Sequence, residues 1–310
     1  MATLLPTLLT ALLFVPMHTV AAQRTHVMIV AGLSGAPNFK AAFNTAIMAT
    51  RTAARERWAV SDSSLIVLTE DSLPTALSQA RSTRENIASG FLRLSRRVQP
   101  GDVLLVLLLG HGSGEGPGSK VNLPGPDATA AEYASWIAPF AQQQVVFVNA
   151  ATGSGDFVPV LAKPGRVIIT ATRTAMEKNE SEFFGIFARA LNSDEADADK
   201  DGRLSVLEAF RYARAEVVKS YERSNRLLTE HAVLSDSIVA GRITFGGRAA
   251  AANPRVAALI AERQALESQV AALRTRKASM TADAYDAELE RLLLAIAEKT
   301  QAIKAAGGDR

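Results

Sequence analysis

Between residues 197 and 208 the chain sets Asp197, Asp199, Asp201, Arg203 and Ser205 at alternate positions and ends the run on Glu208. Three spaced carboxylates, the Arg203 carbonyl, a hydroxyl able to hold a water and a terminal carboxylate offer the roughly six to eight oxygens that a hard cation such as calcium takes. Gly202 at the sixth position permits a sharp turn, and Leu204 at the eighth is apolar and packs the loop inward. The spacing is that of an EF-hand-type calcium loop, so Ca2+ is the expected cofactor. The same residues also allow an acidic, solvated turn that caps a helix starting near Ser205, because Asp side chains favour helix N-termini. A single loop without an obvious partner loop favours a structural ion over a sensor.

Two other segments hold residues able to do chemistry. One is Leu107-Leu108-Leu109-Gly110-His111-Gly112-Ser113-Gly114, and the other is Phe147-Val148-Asn149-Ala150-Ala151-Thr152-Gly153-Ser154-Gly155. Each follows an apolar run that reads as a strand of a parallel sheet, and sites in such sheets form outside the carboxyl ends of the strands. His111 is a base or a ligand-binding group, or simply a histidine hydrogen-bonded within a glycine-rich loop. Thr152 and Ser154 are hydroxyl nucleophiles only if a base stands next to them; otherwise they cap backbone amides in a strand-to-helix turn. The chain has no cysteine, which excludes disulfides, thiolate metal sites and a thiol nucleophile together. His231 has no second histidine or carboxylate set at metal spacing and reads as a surface or packing residue in a helical context.

The elements that must position these groups follow from apolar patterning. Residues 26–31, 65–69, 103–109, 145–148 and 167–170 are short apolar runs expected as strands. Residues 39–58, 83–98 and 130–140 have helical periodicity, the second with Ser82 and Glu85 placed as a capping box. Strand and helix alternate, which specifies an α/β sandwich with a parallel sheet. The run at 103–109, entered through Pro100-Gly101-Asp102, is the most apolar and is expected at the centre. The chain then turns helical around the acidic loop. Residues 246–254 are rich in Gly and Ala and read as a linker. Beyond them, Val256, Leu259, Leu266, Val270 and Leu273 fall at heptad spacing, and Tyr285, Leu289, Leu292, Ile296 and Ile303 repeat it. Residues 279–281 separate the two runs, with Thr281 placed to cap the second, so residues 255–306 are expected as an antiparallel helical hairpin or, alternatively, as one long helix. Arg263 and Lys299 stand at core-type positions of that pattern.

The histidine and alanine segments together resemble the caspase-like peptidase fold, and most closely its legumain-type branch. That family carries a Gly-His-Gly-like histidine after the third strand and an Asp/Glu-Ala-Cys-x-Ser-Gly turn after the fourth. The resemblance spans about residues 25–192 and takes in Thr170-Ala171-Thr172 and Glu180-Ser181-Glu182-Phe183-Phe184. It places His111 on the family histidine and Ala151 on the family cysteine. It implies a caspase-like parallel-sheet sandwich at 23–192, to which the loop's own spacing adds a calcium loop and helical extension at 193–245. Since Ala151 carries no nucleophile, the expected role is non-catalytic, a binding cleft for a peptide or protein ligand. The alternatives are a hydrolase using Ser154 or Thr152 with His111, and a structural module that forms homo-oligomers through the hairpin.

Composition bounds the remaining classes. The 310 residues are 48% apolar and carry a formal charge of +3 from interspersed acidic and basic side chains, so no nucleic-acid partner is implied. Residues 1–22 lack charge, are rich in leucine and end Val20-Ala21-Ala22. They are expected to be a cleaved signal peptide of a secreted or periplasmic protein. A stable membrane anchor is the other reading, against which stand the shortness of the run and Pro6, Pro16 and His18 within it.

Overall fold

The computed structural model describes residues 23–245 and 254–307. The expected signal peptide and, Pro254 apart, the expected linker lie outside the described residues. The strands are β1 (Thr25–Ala31), β2 (Leu65–Thr69), β3 (Ala80–Arg81), β4 (Val103–Leu109), β5 (Gly112–Ser113), β6 (Lys120–Val121), β7 (Ala128–Thr129), β8 (Gln144–Asn149), β9 (Arg166–Thr170) and β10 (Val233–Leu234). The helices are α1 (Pro37–Thr52), α2 (Arg84–Ser95), α3 (Ala130–Trp136), α4 (Phe157–Leu161), α5 (Phe183–Ala190), α6 (Val206–Arg223), α7 (Ser237–Arg242), α8 (Pro254–Thr275) and α9 (Ala282–Gly307).

The protein is mixed α/β, built on a seven-stranded sheet in the order β10-β9-β8-β4-β1-β2-β3. All its pairings are parallel except that of the short edge strand β10 with β9. β4 stands in the middle and every one of its seven residues is buried. A strand covered on both faces must be apolar throughout, since each side chain meets a helix layer whichever way it points. Alternate residues sort accordingly. Val27, Ile29, Leu105 and Leu107 face α1, α5 and α6 with Phe43, Phe187 and Phe210. Met28, Val30, Leu104 and Val106 face α2, α3 and α4 with Phe91, Tyr133 and Phe157. Burying one such side chain contributes about 1.5–3 kcal/mol, so an interruption of β4 is costly.

Two local details differ from the expectation. The cap of α2 is Thr83, whose Oγ accepts from the Asn86 amide at 3.3 Å. Ser82 is fully buried and its hydroxyl donates to the Ala31 carbonyl at 2.7 Å, tying the loop to β1. The first helical stretch ends as α-helix at Thr52 and continues through a π turn at Ala53–Arg57. That turn delivers Trp58 onto Phe245, with ring centroids 4.6 Å apart.

α8 and α9 reverse through residues 276–281 and pack against each other. Val270 and Leu273 meet Tyr285 and Leu292 near the turn, and Val256 and Ile260 meet Ile303 at the far end, so the pair is antiparallel. Lys299 leaves the seam to pair with Glu262 at 2.5 Å. Ile238 of α7 packs against the end of this pair near its turn, which ties the hairpin to the body of the protein. No helix among the described residues is long and apolar enough to cross a membrane.

Candidate functional site

The acidic loop joins α5 to α6 and is folded around its own carboxylates. Asp197 accepts from the amides of Asp201 at 3.2 Å and Gly202 at 2.9 Å. Gly202 adopts φ +78°, a left-handed conformation that an L side chain rarely takes, and this aims its amide inward. Ser205 and Glu208 form a reciprocal capping box at the start of α6: Ser205 Oγ accepts from the Glu208 amide at 3.2 Å, and Glu208 Oε2 accepts from the Ser205 amide at 2.9 Å. Glu208 Oε1 reaches back to the amides of Ala198 at 3.0 Å and Asp199 at 3.3 Å. Leu204 is buried in the main core, and Ser205 bridges to Thr244, so the loop is clamped from both sides.

Asp197, Asp199 and Glu208 each turn an oxygen to a common point, all within 4.8 Å of one another. Burial raises the pKa of Asp197 and of Glu208, and the neighbouring Asp199 raises both further. Burial, then Asp199, pushes Asp201 up to about 7. Carboxylates gathered and desolvated in this way are stabilised by a cation.

A cation of the protein's own is already close. Arg263 of α8 pairs with Asp199 through Nη1 and with Asp201 through Nη2, the latter at 3.0 Å. Its Nε lies 3.6 Å from Glu267 and makes no hydrogen bond. The donor set therefore fits a hard cation on two grounds: its all-oxygen chemistry, and the guanidinium that stands in for one. Asp201 is the member held aside, with Oδ1 accepting from the Arg203 amide at 2.8 Å and Oδ2 from Arg263. Sequence reading placed Arg263 only as an irregular core position in a heptad pattern.

The second candidate lies at the carboxyl ends of β4 and β8, where strand order reverses about β1 and β4. His111 leaves β4 with its Nε2 3.1 Å from the Ser34 carbonyl oxygen, and Phe39 stands edge-on to the ring at 5.2 Å. Across the crevice Ala151 is fully buried in the α2–α4 side of the core, and its amide donates to Asn149 Oδ1 at 3.1 Å. Thr152 Oγ1 accepts from the Gly112 amide at 3.3 Å, joining the two turns directly. Ser154 is 1% exposed. Its amide donates to Thr172 Oγ1 at 2.7 Å, and its own Oγ accepts from the Thr172 amide at 3.3 Å. Among the described residues no hydrogen bond joins His111 to either hydroxyl.

The turn is sealed from the β9 side. A Cβ on Gly155 would stand 2.1 Å from the Arg173 carbonyl oxygen, so only glycine fits this close backbone approach. Glu177, which sequence reading did not single out, accepts the Gly153 amide on its carbonyl at 2.9 Å and the His231 amide on its carboxylate at 3.0 Å. His231 lies outside any helix, in the segment between α6 and β10, with Nδ1 3.1 Å from Glu177 Oε1. Its helical context is corrected by this placement, and its partner is the carboxylate that sequence spacing did not reveal. Beside Phe39, a groove of about 390 Å³ runs between α1 and α5, lined by Ala42, Ala46, Phe184, Arg189 and Arg226 among others.

No family model matches the chain. No curated protein matches it either. Among solved structures, a caspase-1 from Spodoptera frugiperda is similar at 12% identity with a TM-score of 0.42, covering 69% of this chain and 87% of its own. A protein from Geobacter sulfurreducens is similar at 12% identity and a TM-score of 0.41, covering 72% of this chain and 94% of its own. At these values the likeness is one of general chain layout and assigns no residue a role.

Proposed function

We propose that this chain is an exported calcium-binding protein whose α/β part is caspase-like in plan and non-catalytic, acting by binding a peptide or protein ligand. The observation that carries the calcium reading is the convergence of Asp197, Asp199 and Glu208 on one point of a twelve-residue loop with oxygen donors at every expected position. Asp201, the Arg203 carbonyl and a water on Ser205 would complete the shell. The ion would supply charge neutralisation, fixing the loop and the start of α6 on the core. Calorimetric titration of the metal-free protein tests it: uptake of one calcium per chain, lost in Glu208→Gln, is expected, and no uptake at millimolar ion defeats it.

The non-catalytic reading is supported by Ala151, which can neither attack nor ionise, and by the absence of cysteine. Thr152 and Ser154 are committed to Gly112 and Thr172, which leaves neither hydroxyl with His111 as its base. The groove beside Phe39 has apolar walls edged by Glu180, Glu182, Arg189 and Arg226, with Arg226 paired to Glu182, a lining suited to an extended segment with an apolar side chain. The wild type, purified with calcium beside a mock purification, is expected to hydrolyse no peptide with Asn, Asp, Arg or Lys before the scissile bond. Turnover that disappears in Ser154→Ala or Thr152→Ala would establish the hydrolase instead. Assembly through the hairpin is a further reading, favoured by Leu293 and Leu294, which are 48% and 59% exposed on α9. A molar mass by light scattering that rises with concentration, and stops rising when residues 253–310 are deleted, would support it.

A further inference from the structure

We propose that the C-terminal hairpin is a latch on the acidic loop, with Arg263 serving as a tethered cation that calcium displaces. The inference rests on the calcium reading and adds its regulation. Arg263 is 11% exposed and spans two carboxylates of the loop, Asp199 and Asp201. Glu267, one turn further along α8, stands behind the guanidinium at 3.6 Å. Asp201 is thereby turned toward α8 and does not join the oxygens of Asp197, Asp199 and Glu208 at their common point. For a calcium ion to take its fifth-position ligand, Asp201 must leave Arg263. Once Asp199 and Asp201 serve the ion, a guanidinium a few ångströms away faces a divalent charge in a partly desolvated site, and the two cations repel.

Other contacts also hold the hairpin to the body, among them Glu267 of α8, which is drawn electrostatically to Arg242 and Arg203. Ile238 of α7 packs against its apolar seam, and Arg274 lies 3.7 Å from Asp236 with both side chains substantially exposed. An exposed pair of that kind contributes little. The buried Arg263 contacts are the polar fastening that engages the loop's carboxylates directly. Because coupling between two binding events is reciprocal, whatever factor Arg263 takes from calcium affinity, calcium takes from hairpin docking. The loop then reports calcium by freeing α8 and α9, which departs from the purely structural ion that a single loop suggests.

The test uses the full chain with CaCl2 as the only added ligand. Calcium affinity is measured by calorimetry, and hydrogen exchange of α8 and α9 is followed by mass spectrometry with and without the ion. In the wild type, calcium should speed exchange in α8. Arg263→Gln should bind calcium about 5- to 150-fold more tightly, the usual span of such couplings, and its metal-free hairpin should exchange like that of the calcium-loaded wild type. Arg263→Lys, which keeps one charge and loses the fork, should fall between and serves if the glutamine variant does not fold. Calcium uptake with equal or weaker affinity in Arg263→Gln would overturn the latch and leave the calcium site standing, with Arg263 as its support. No uptake by any form would remove the calcium reading first and the latch with it.

Discussion

In the acidic loop, Asp197, Asp199, Asp201 and Glu208 crowd together and recruit six backbone amides, in seven hydrogen bonds, and an arginine from a helix more than fifty residues away, and three of them still turn oxygens to within 4.8 Å of one another. In the crevice at the ends of β4 and β8, Thr152, Ser154 and Thr172 are also gathered, but each hydroxyl meets an amide or another hydroxyl and the set is closed. The same folding constraint acts on both: buried polar groups must find partners. Hydroxyls donate as well as accept, so these three satisfy one another and the neighbouring amides, and of the groups in this turn Asn149 Nδ2 is the one left buried without a partner. Carboxylates only accept, and gathering them leaves a demand for positive charge that only a cation meets.

That difference sets the order of expected effects. Calcium at about a hundred times its dissociation constant should stabilise the protein by about 2.7 kcal/mol through binding only the folded state. In thermal unfolding, chelation should lower the melting temperature, and Glu208→Gln should abolish the difference; an equal response in wild type and variant would mean that the ion acts elsewhere. Ser154→Ala should cost roughly 1–3 kcal/mol in urea unfolding, because Thr172 loses a buried partner. It should also leave peptide hydrolysis at the mock level. A variant as stable as wild type would show the crevice to be less closed than the hydrogen bonds indicate.

Ala151→Cys sharpens the comparison at the same turn. Ala151 is fully buried among core residues, so the added sulfur should destabilise by about 1 kcal/mol or more and yield a thiol that alkylates slowly in the native protein and readily in urea. Fast native labelling would place this position at the surface of a working cleft.

The smallest effect concerns Glu230, a buried carboxylate that accepts from Ser181 Oγ at 2.6 Å and from the Glu182 amide at 2.7 Å at the start of α5. Burial raises its pKa, and those hydrogen bonds offset the rise only in part. The folded state therefore keeps this proton to a higher pH than the unfolded chain does. Its contribution is full below the ordinary glutamate value and is lost as pH rises through the raised folded value. Glu230→Gln should lack that slope. Urea midpoints measured in chelator across mildly acidic pH check it, and parallel slopes in wild type and variant would assign the dependence to another group.

Much of the architecture is legible in the chain because it depends on near neighbours. The five apolar runs lie within β1, β2, β4, β8 and β9, and the most apolar of them forms the central strand, since a strand covered on both faces can carry few polar side chains. β3 and β10 have two residues each, too few to show a period, and both exist because a longer neighbour offers a free edge. The three-stranded sheet β5-β6-β7 is likewise built from two-residue strands in a glycine-rich stretch.

At the candidate sites the same division holds. The alternation of Asp197, Asp199, Asp201, Arg203 and Ser205, closed by Glu208, is a local pattern, so the sequence by itself determines which oxygens are available and the turn at Gly202 that gathers them. What stands opposite those oxygens was decided by tertiary structure alone. Arg263 breaks a heptad as a string of letters, and it has a purpose only when α8 is laid beside residues 199–201. Ser154 with Thr172, and Glu177 with His231, are pairs of the same kind. Their partners are 18 and 54 residues apart, and no periodicity in the chain encodes a contact that exists only after the sheet has brought separate loops to one end.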